Sequence, residues 1–205
     1  MAEKKILMLT KDLFIGKGGH QEAYVHPDDP SKCVKIAFDP NDGDVKKELR
    51  YRRICADKLS RSKLVTKYYG EVETDKGRGL VFERVMNFDG ASSLDLKDYL
   101  SAVSTAEEVD QSRALLMDFR KDFLEEGIAI VDTDITNFMV QRVSPTETQM
   151  RIVDNIGTPV LIPLVYYSDY IARRKARRVW NRIVDWLKEN YPSVVDEKFY
   201  GELRA

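Results

Sequence analysis

The sequence predicts an α+β fold in which a small antiparallel β-sheet with one helix precedes a mostly helical second part. Between residues 13 and 88, short apolar runs alternate with glycine-containing turns, a pattern typical of antiparallel strands. Residues 45–59 interrupt this pattern with helix-forming composition and with apolar residues at helical spacing. Two later segments, 107–126 and 168–191, show longer helical periodicity, which predicts a helical second part.

Length and composition are those of a soluble globular protein. The 205 residues are 43% hydrophobic and 33% charged, which suits one domain or two small lobes that share a cleft. We divide the chain into a sheet-containing lobe, residues 1–88, and a reduced helical lobe, residues 89–205. The formal net charge of −1 excludes a global attraction to nucleic acid or membrane, so any such attraction would be local.

Neither a secretion signal nor a membrane-spanning helix is predicted. The apolar run in MAEKKILMLTKD is short before charged residues return, and no other segment reaches a spanning length. We therefore expect a cytoplasmic protein without membrane insertion. Cys33 and Cys55 lack the spacing of a metal site, which predicts two reduced, buried thiols.

Three glycines, Gly16, Gly18 and Gly19, lie between two short apolar segments in LFIGKGGHQEAYV. Glycine allows the backbone to approach a ligand closely and leaves N–H groups free to bind phosphate oxygens. A Rossmann or Walker A loop is excluded because no helix follows the glycines. Two interpretations remain: a glycine-rich hairpin that covers phosphates, or an ordinary glycine-containing β-turn.

Lys35 and Glu48 lie on the next predicted strand and helix. In KCVKIAF, Lys35 shares a strand face with Cys33 and Ala37. This lysine either faces a cleft or extends to solvent from a sheet edge. Glu48 either faces the same cleft or is a surface carboxylate balanced by Arg52, four residues later.

Two further strands, 65–73 and 78–85, are predicted to pair through the turn TDKG. The second strand leads through Glu83 and Val85 into the glycine-containing loop FDGASS. A helix at 94–100 is predicted next, as the first helix of the second lobe.

Residues 127–140, GIAIVDTDITNFMV, place three polar side chains between two apolar runs that predict strands. Asp132 and Asn137 bracket four residues, the D-x-x-x-x-N spacing of catalytic loops in phosphoryl transfer. This spacing favours Asp132 as the catalytic residue and leaves Asp134 as a turn former that caps local backbone. A capped turn without catalytic function is the alternative, because Asp and Asn favour turns on backbone grounds alone.

Asp154 is predicted at the end of a returning strand, residues 150–156, and is followed by the sequence DNIG. Its position beyond the Asp–Asn loop matches that of the second metal-holding aspartate in phosphoryl transfer, the D of D-F-G, with one additional residue before the glycine.

The predicted helix 168–191 has a basic side and an apolar side. Its basic residues would either bind phosphates of RNA, DNA or lipid, or form a solvated face partly neutralised by Asp185 and Glu189. We favour the solvated face, so nucleic acid is not the expected partner. The basic residues are Arg173, Arg174, Lys175, Arg177, Arg178 and Arg182, and the apolar residues are Tyr170, Ile171, Val179, Trp180, Ile183, Val184 and Leu187.

The glycine loop, strand lysine, helix glutamate, Asp–Asn loop and strand-end aspartate occur in the order found in protein kinases. Several segments also resemble the YrbL family of bacterial PhoP regulatory network proteins, over nearly the whole chain. The resemblance implies a compact protein-kinase-like fold. The segments are IGKGGHQEAYVHP, CVKIAF, KKELRYRR, VTKYYGEV, GLVFERV, DTDITNFMV and RRKARRVWNRI.

The resemblance also implies a role for each matching residue. The three glycines would cover the phosphates of ATP, Lys35 would contact them, and Glu48 would hold Lys35. The backbone near Glu83 and Val85 would bind the adenine. Asp132 would orient or deprotonate an acceptor hydroxyl, while the Mg²⁺ ligands would be Asn137 and Asp154.

Two function hypotheses follow. The first is a Mg²⁺/ATP-dependent phosphotransferase that acts on an unknown hydroxyl acceptor. The second is a non-catalytic kinase-like regulatory protein that acts through a binding partner, with the basic helix as a contact surface.

Overall fold

The structure is a computed structural model that describes residues 5–158 and 164–205. Residues 1–4, and residues 159–163 of the apolar stretch TPVLIPLVYY, lie outside the described residues. The first half contains a six-stranded sheet with the strand order β1-β5-β6-β4-β3-β2, in which only β1 and β5 run parallel. Its strands are β1 (Ile6–Leu7), β2 (Phe14–Lys17), β3 (Gln21–His26), β4 (Asp29–Ala37), β5 (Tyr68–Thr74) and β6 (Gly77–Glu83).

The predicted glycine-rich hairpin is present: β2 and β3 pair antiparallel, and residues 18–20 form the connection between them. The next strand, β4, pairs with β3 on one side and with β6 on the other, so it is an interior strand. Val34 and Ile36 pack into one apolar cluster of the sheet, and Cys33 packs into another. Lys35, on the Cys33 side, is only 8% exposed and does not extend to solvent.

The single helix predicted at 45–59 is divided into two helices, α1 (Gly43–Ile54) and α2 (Ala56–Arg61). Asp42 caps α1, because its carboxylate accepts hydrogen bonds from the N–H groups of residues 44 and 45. The chain bends at Cys55, and α2 then directs the Lys58 ammonium to the carbonyl oxygen of Gly127, at 3.2 Å. The bend therefore coincides with a contact to the second half of the chain. Local helix propensity could not predict that contact.

In its described residues, the second half combines a small sheet with five α-helices. The sheet, in the order β7-β8-β9, is antiparallel. Its strands are β7 (Leu94–Asp95), β8 (Phe138–Arg142) and β9 (Thr148–Ile152), and the helices are α3 (Leu96–Ser101), α4 (Ala106–Glu126), α5 (Leu164–Tyr167), α6 (Asp169–Asn190) and α7 (Glu197–Leu203).

Two predicted strands differ from the structure. Residues 128–131 form no ladder: Ile130 makes one isolated bridge, to Ile156. The returning strand β9 ends at Ile152, so Asp154 lies two residues beyond the strand and within a turn. Apolar runs predict burial correctly here, since Ile128 and Ile130 are both buried, but burial alone does not form a strand.

The main hydrophobic core lies in the second half, where α4 and α6 pack together. The predicted apolar side of α6 is confirmed at six of its seven positions, which are fully or partly buried; Tyr170 is 74% exposed. Tyr170 lies in the first turn of α6, where the helix has not yet reached the core. Trp180, at the centre of this core, donates its indole N–H to the carbonyl oxygen of Leu203 at 2.8 Å.

Cys33 and Cys55 are free and buried, as predicted. None of the helices in the described ranges combines the length and the apolar character needed to cross a membrane.

Candidate active site

A cleft of about 310 Å³ brings the glycine hairpin, the start of α1 and the two acidic turns together. It is lined by six of the predicted site residues, and Lys35 reaches it by an ion pair described below. Its wall is formed by Gly18, Gly19, His20, Gln21, Asp44, Val45, Glu48, Asp132, Asp134, Thr136, Asn137, Asp154 and Asn155.

Asp132 accepts three hydrogen bonds at the mouth of this cleft. The Asn137 amide donates at 3.2 Å, the Asp134 N–H at 3.1 Å and the Asn155 amide at 2.7 Å. Loss of hydration raises the pKa of the Asp132 carboxyl, although the bond from the Asp134 N–H opposes the shift. A carboxylate with a raised pKa is suited to accepting a proton.

Asp134 has the structural function predicted for it. Its carboxylate accepts hydrogen bonds from the N–H and the hydroxyl of Thr136, at 3.0 and 2.9 Å. It thereby caps the short 3₁₀ helix Ile135–Asn137, which positions the Asn137 side chain toward Asp132.

Asp154 lies in a tight turn after β9. Its carboxylate accepts a short hydrogen bond from the Gln21 amide, pairs with the Lys35 ammonium at 3.2 Å, and accepts from the Asn155 N–H at 3.0 Å. Burial by itself raises the pKa of this carboxyl, but Lys35 and the hydrogen bonds outweigh it, and the pKa is lowered. Asp154 is therefore ionised at neutral pH, as a metal ligand must be.

Lys35 is fixed by three contacts. Its ammonium donates to the carbonyl oxygen of Val153 at 2.8 Å, pairs with Asp154, and lies 4.9 Å from the centre of the Phe82 ring. Burial lowers the pKa of Lys35, but Asp154 and Glu48 outweigh it and raise the pKa, so the side chain is a permanent cation.

Glu48 does not form the expected ion pair with Lys35 among the described residues. Its carboxylate instead binds Arg52 on the next turn of α1, with the guanidinium nitrogens at 2.8 Å. Arg52 was the alternative partner expected for Glu48, but on the protein surface. The pair is in fact buried, since Glu48 and Arg52 are only 8% and 7% exposed. The physical reason is that Arg52 is four residues away on the same helix, whereas Lys35 is already bound to Asp154.

Two residues of the glycine hairpin that line the cleft have unpaired N–H groups in the described ranges. In the described ranges, the N–H groups of Gly19 and His20 donate to no protein acceptor, while the Gly18 N–H donates to the carbonyl oxygen of Gln21 at 2.9 Å. Gly16 is different, because it lies within β2 opposite Ala23 and is not part of the described wall.

Glu83 and Val85 also lie outside the described wall of the cleft. The Glu83 carboxylate binds Arg151 at 2.8 Å and the Lys67 N–H at 3.0 Å, so this side chain connects the two sheets. Within the described ranges, the backbone N–H of Val85 has no protein acceptor.

The cleft contains oxygen donors that could hold Mg²⁺. Asp154 supplies an ionised carboxylate and Asn137 a side-chain carbonyl oxygen, since the Asn137 amide nitrogen donates to Asp132. Oxygen ligands of this kind are those that Mg²⁺ prefers. Gly19 and His20, whose N–H groups are unpaired in the described ranges, line the same cleft as Asp154, the partner of Lys35. N–H groups and a cation are the donors that bind phosphate.

The solvated face predicted for α6 is present, but its neutralisation is not as expected. Asp185 accepts a hydrogen bond from Tyr200 on α7, at 2.8 Å, and one from Arg204 just after α7, at 2.7 Å. The reason is that α7 packs against this side of α6.

Lys175 is the half-buried member of the basic group. Its burial, together with nearby Arg182, lowers its pKa to about 8.

Sequence reasoning missed two residues of the site, Gln21 and Asn155, and expected Arg52 only as a surface partner of Glu48. Gln21 had no local signal of its own. Asn155 had one, because DNIG has an additional residue before its glycine. Asn155 has a backbone φ of +58°, and it is the only residue other than glycine with a positive φ in the described ranges.

A sequence model described as the PhoP regulatory network protein YrbL matches residues 7–188. The chain belongs to the YrbL family. The YrbL proteins of Escherichia coli (strain K12) and Shigella flexneri are each 30% identical over 182 residues, which covers 87% of this chain and 87% of theirs. The family resemblance seen in the sequence is thus confirmed.

The fold is that of a protein kinase. The structure of Rad53 residues 1–466 in complex with AMP-PNP matches with a TM-score of 0.54 and 15% identity, over 95% of this chain. The chain spans about half the length of that protein, with 51% of it covered. At this identity the likeness concerns the fold, and it confirms the predicted kinase-like architecture.

Proposed function

We propose that this protein is a Mg²⁺/ATP-dependent phosphotransferase that acts on a hydroxyl acceptor. One observation supports the proposal most: Asp132, Asn137, Asp154 and Lys35 converge at one cleft, with the pKa values of the two carboxyls shifted in opposite directions. Paired carboxyls with separated pKa values are typical of sites that move a proton at neutral pH.

Each residue would contribute a distinct physical effect. Lys35 and the N–H groups of Gly19 and His20 would neutralise and orient phosphate oxygens. Asp132 would accept the proton of the acceptor hydroxyl, held in place by its three hydrogen bonds. Asn137 and Asp154 would hold Mg²⁺, which neutralises phosphate charge when bound.

Nucleotide binding is part of the same proposal. The Rad53 structure contains AMP-PNP, and the present chain shares its fold. The N–H of Val85, which has no protein acceptor in the described ranges, would be a donor to the adenine edge. Val85 lies two residues beyond β6 and precedes the loop FDGASS. We infer that ATP spans from this segment to the glycine hairpin.

Calorimetry with MgATP tests the binding step. The wild type should bind with a measurable heat, and Asp154→Ala should weaken binding in Mg²⁺ by at least tenfold. No binding of MgATP by the wild type at millimolar concentration would exclude a nucleotide-dependent function.

Release of ADP tests the chemical step. Asp132→Asn should lower turnover by about 10²–10⁴-fold, as expected for loss of a general base. Asp134→Asn is the matched control, because its side-chain oxygen still caps the turn and turnover should stay within a few fold of wild type. Equal loss in both variants would indicate a loop defect and not the loss of a base.

The alternative function is a non-catalytic kinase-like regulator that acts through a partner. The observation that favours it is the binding of Glu48 to Arg52, which leaves Lys35 without a glutamate partner in the described residues. This function predicts nucleotide binding without turnover. Charge reversal of the basic helix would then impair function more than Asp132→Asn does, and the changed residues would be Arg173, Arg174, Arg177 and Arg178.

A further inference from the structure

A second cavity, of about 660 Å³, lies along one face of α6 and shares no lining residue with the cleft. Part of its wall is apolar and comes from α5 and α6. Its volume is within the range of about 300–1,000 Å³ that is typical of small-molecule sites. The apolar wall residues are Leu164, Val165, Ile171 and Val179.

The rest of the described wall is Thr158 and three cations. Lys175, Arg178 and Arg182 line the cavity, and they lie on one side of α6 because they are three and four residues apart. The described wall contains no carboxylate, and neither arginine forms an ion pair in the part of the chain that the structure describes. Three cations are thus placed together without a counter-charge.

The surroundings of Lys175 disfavour its positive charge. Among the residues that the structure describes, its ammonium donates to one acceptor, the backbone carbonyl oxygen of Gly157, at 3.2 Å. Burial and the neighbouring Arg182 lower its pKa to about 8, so the free protein destabilises this charge. A bound anion would remove that destabilisation.

Apolar surface and unneutralised cations in one cavity fit a ligand that has both characters. A bare inorganic anion would leave the apolar wall unused, and a neutral hydrocarbon would leave the cations unpaired. We propose that this cavity binds a small amphipathic anion, in which a carboxylate or phosphate group is attached to an acyl chain or aromatic ring. The proposal does not depend on phosphotransferase activity.

Calorimetry on the full chain without nucleotide tests it, with octanoate, octyl phosphate, octanol and inorganic phosphate as probes. The wild type should bind octanoate or octyl phosphate at least tenfold more tightly than octanol or inorganic phosphate. Comparison of octanoate with octyl phosphate identifies the preferred head group.

Two double variants separate the cavity from the general charge of the helix. Arg178→Gln/Arg182→Gln should weaken binding of the amphipathic probe at least tenfold. Arg174→Gln/Arg177→Gln removes two exposed cations of the same helix that do not line the cavity, and should weaken binding less than twofold. Unchanged melting temperatures would show that both double variants remain folded.

Three results would overturn the proposal. The first is no binding of either anionic probe to the wild type at millimolar concentration. The second is octanol binding as tightly as the anions. The third is equal loss in the two double variants, which would indicate a diffuse basic surface of the kind that attracts nucleic acid or anionic vesicles.

Discussion

At the scale of single residues, Asn155 connects the two carboxylates of the cleft. Its amide donates to Asp132, its N–H donates to Asp154, and its carbonyl oxygen accepts from the Val131 N–H at 2.8 Å. A left-handed backbone at φ +58° makes these contacts possible at once. The extra residue in DNIG is therefore a positioning residue that sets the distance between the two acidic turns.

We predict that Asn155→Gly lowers the rate of ADP release by about 10–100-fold, as loss of an orienting hydrogen bond does at comparable sites. Glycine tolerates positive φ, so this variant removes the amide without adding backbone strain. Steady-state kinetics should show a change in kcat with little change in KM for ATP. An unchanged kcat would mean that Asp132 is positioned well enough by Asn137 and the Asp134 N–H.

Arg52 is the other residue whose importance follows from burial. It binds Glu48, donates to the carbonyl oxygen of Thr66 at 2.9 Å, and lies 4.9 Å from the centre of the Phe82 ring. Burial is the main cause that raises the pKa of Glu48, and Arg52 is the main group that opposes it.

We predict that Arg52→Met lowers the free energy of unfolding by about 3–5 kcal/mol, because it leaves a buried carboxylate without its partner. Urea denaturation measures the change. The double variant Arg52→Met/Glu48→Leu should recover most of the lost stability. If both variants were equally unstable, packing and not the unpaired charge would be responsible.

At the scale of elements, α4 is the helix whose beginning is best explained by local sequence. Thr105 accepts a hydrogen bond from the Glu108 N–H at 3.2 Å, and the Glu108 carboxylate accepts from the Thr105 N–H at 3.0 Å. Bonds from Ser104 and Thr105 lower the pKa of Glu108 to about 2. This capping box fixes the orientation of the helix that packs against α6.

The lowered pKa predicts a pH dependence of stability. Because the pKa of Glu108 is lower in the folded state, its carboxylate stabilises the fold. This stabilisation is complete at pH values above the unfolded pKa of about 4.3, and it is lost as the pH falls toward about 2. The difference in urea midpoint between wild type and Glu108→Ala should therefore be larger at pH 6 than at pH 3.

The matched control is Glu107→Ala, which removes a neighbouring carboxylate from the first turn. Glu107 accepts from Gln111 and does not bind the cap. Equal pH dependence for the two variants would indicate that the charge near the helix N-terminus, and not the capping box, is responsible.

At the scale of the whole molecule, the two sheets are connected next to the segment that follows β6. Arg151 on β9 binds Glu83, and the Gln141 amide on β8 donates to the carbonyl oxygen of Met86 at 2.7 Å. A second ion pair joins Arg142 to Asp89. These contacts determine how the glycine hairpin and the acidic turns face each other across the cleft.

We predict that Arg151→Leu lowers the free energy of unfolding by about 1–3 kcal/mol, because the largely buried Glu83 carboxylate loses its cation. Arg142→Leu is the control. Its ion pair is about half exposed, so the loss should be about 1 kcal/mol or less. Hydrogen exchange at residues 83–87 should accelerate in Arg151→Leu, and an unchanged rate would show that the backbone contacts suffice.

Local patterns in the sequence determined the elements and most of the acidic site. Glycine spacing predicted the hairpin, helical periodicity predicted α4 and α6, and the D-x-x-x-x-N spacing brought Asp132 and Asn137 to one turn, where they share a hydrogen bond. These features depend on residues close in the chain, for which propensity and spacing contain the information.

The tertiary structure alone decided which partners the buried charges have. Lys35 binds Asp154, 119 positions later, and Gln21 reaches the same carboxylate from the glycine hairpin, while Glu48 stays with Arg52. Sequence order cannot rank such partners, because each charge has several candidates and the choice depends on distance and burial in the folded chain. The sequence therefore identified the charged groups of the cleft, and only the folded structure showed which of them are paired.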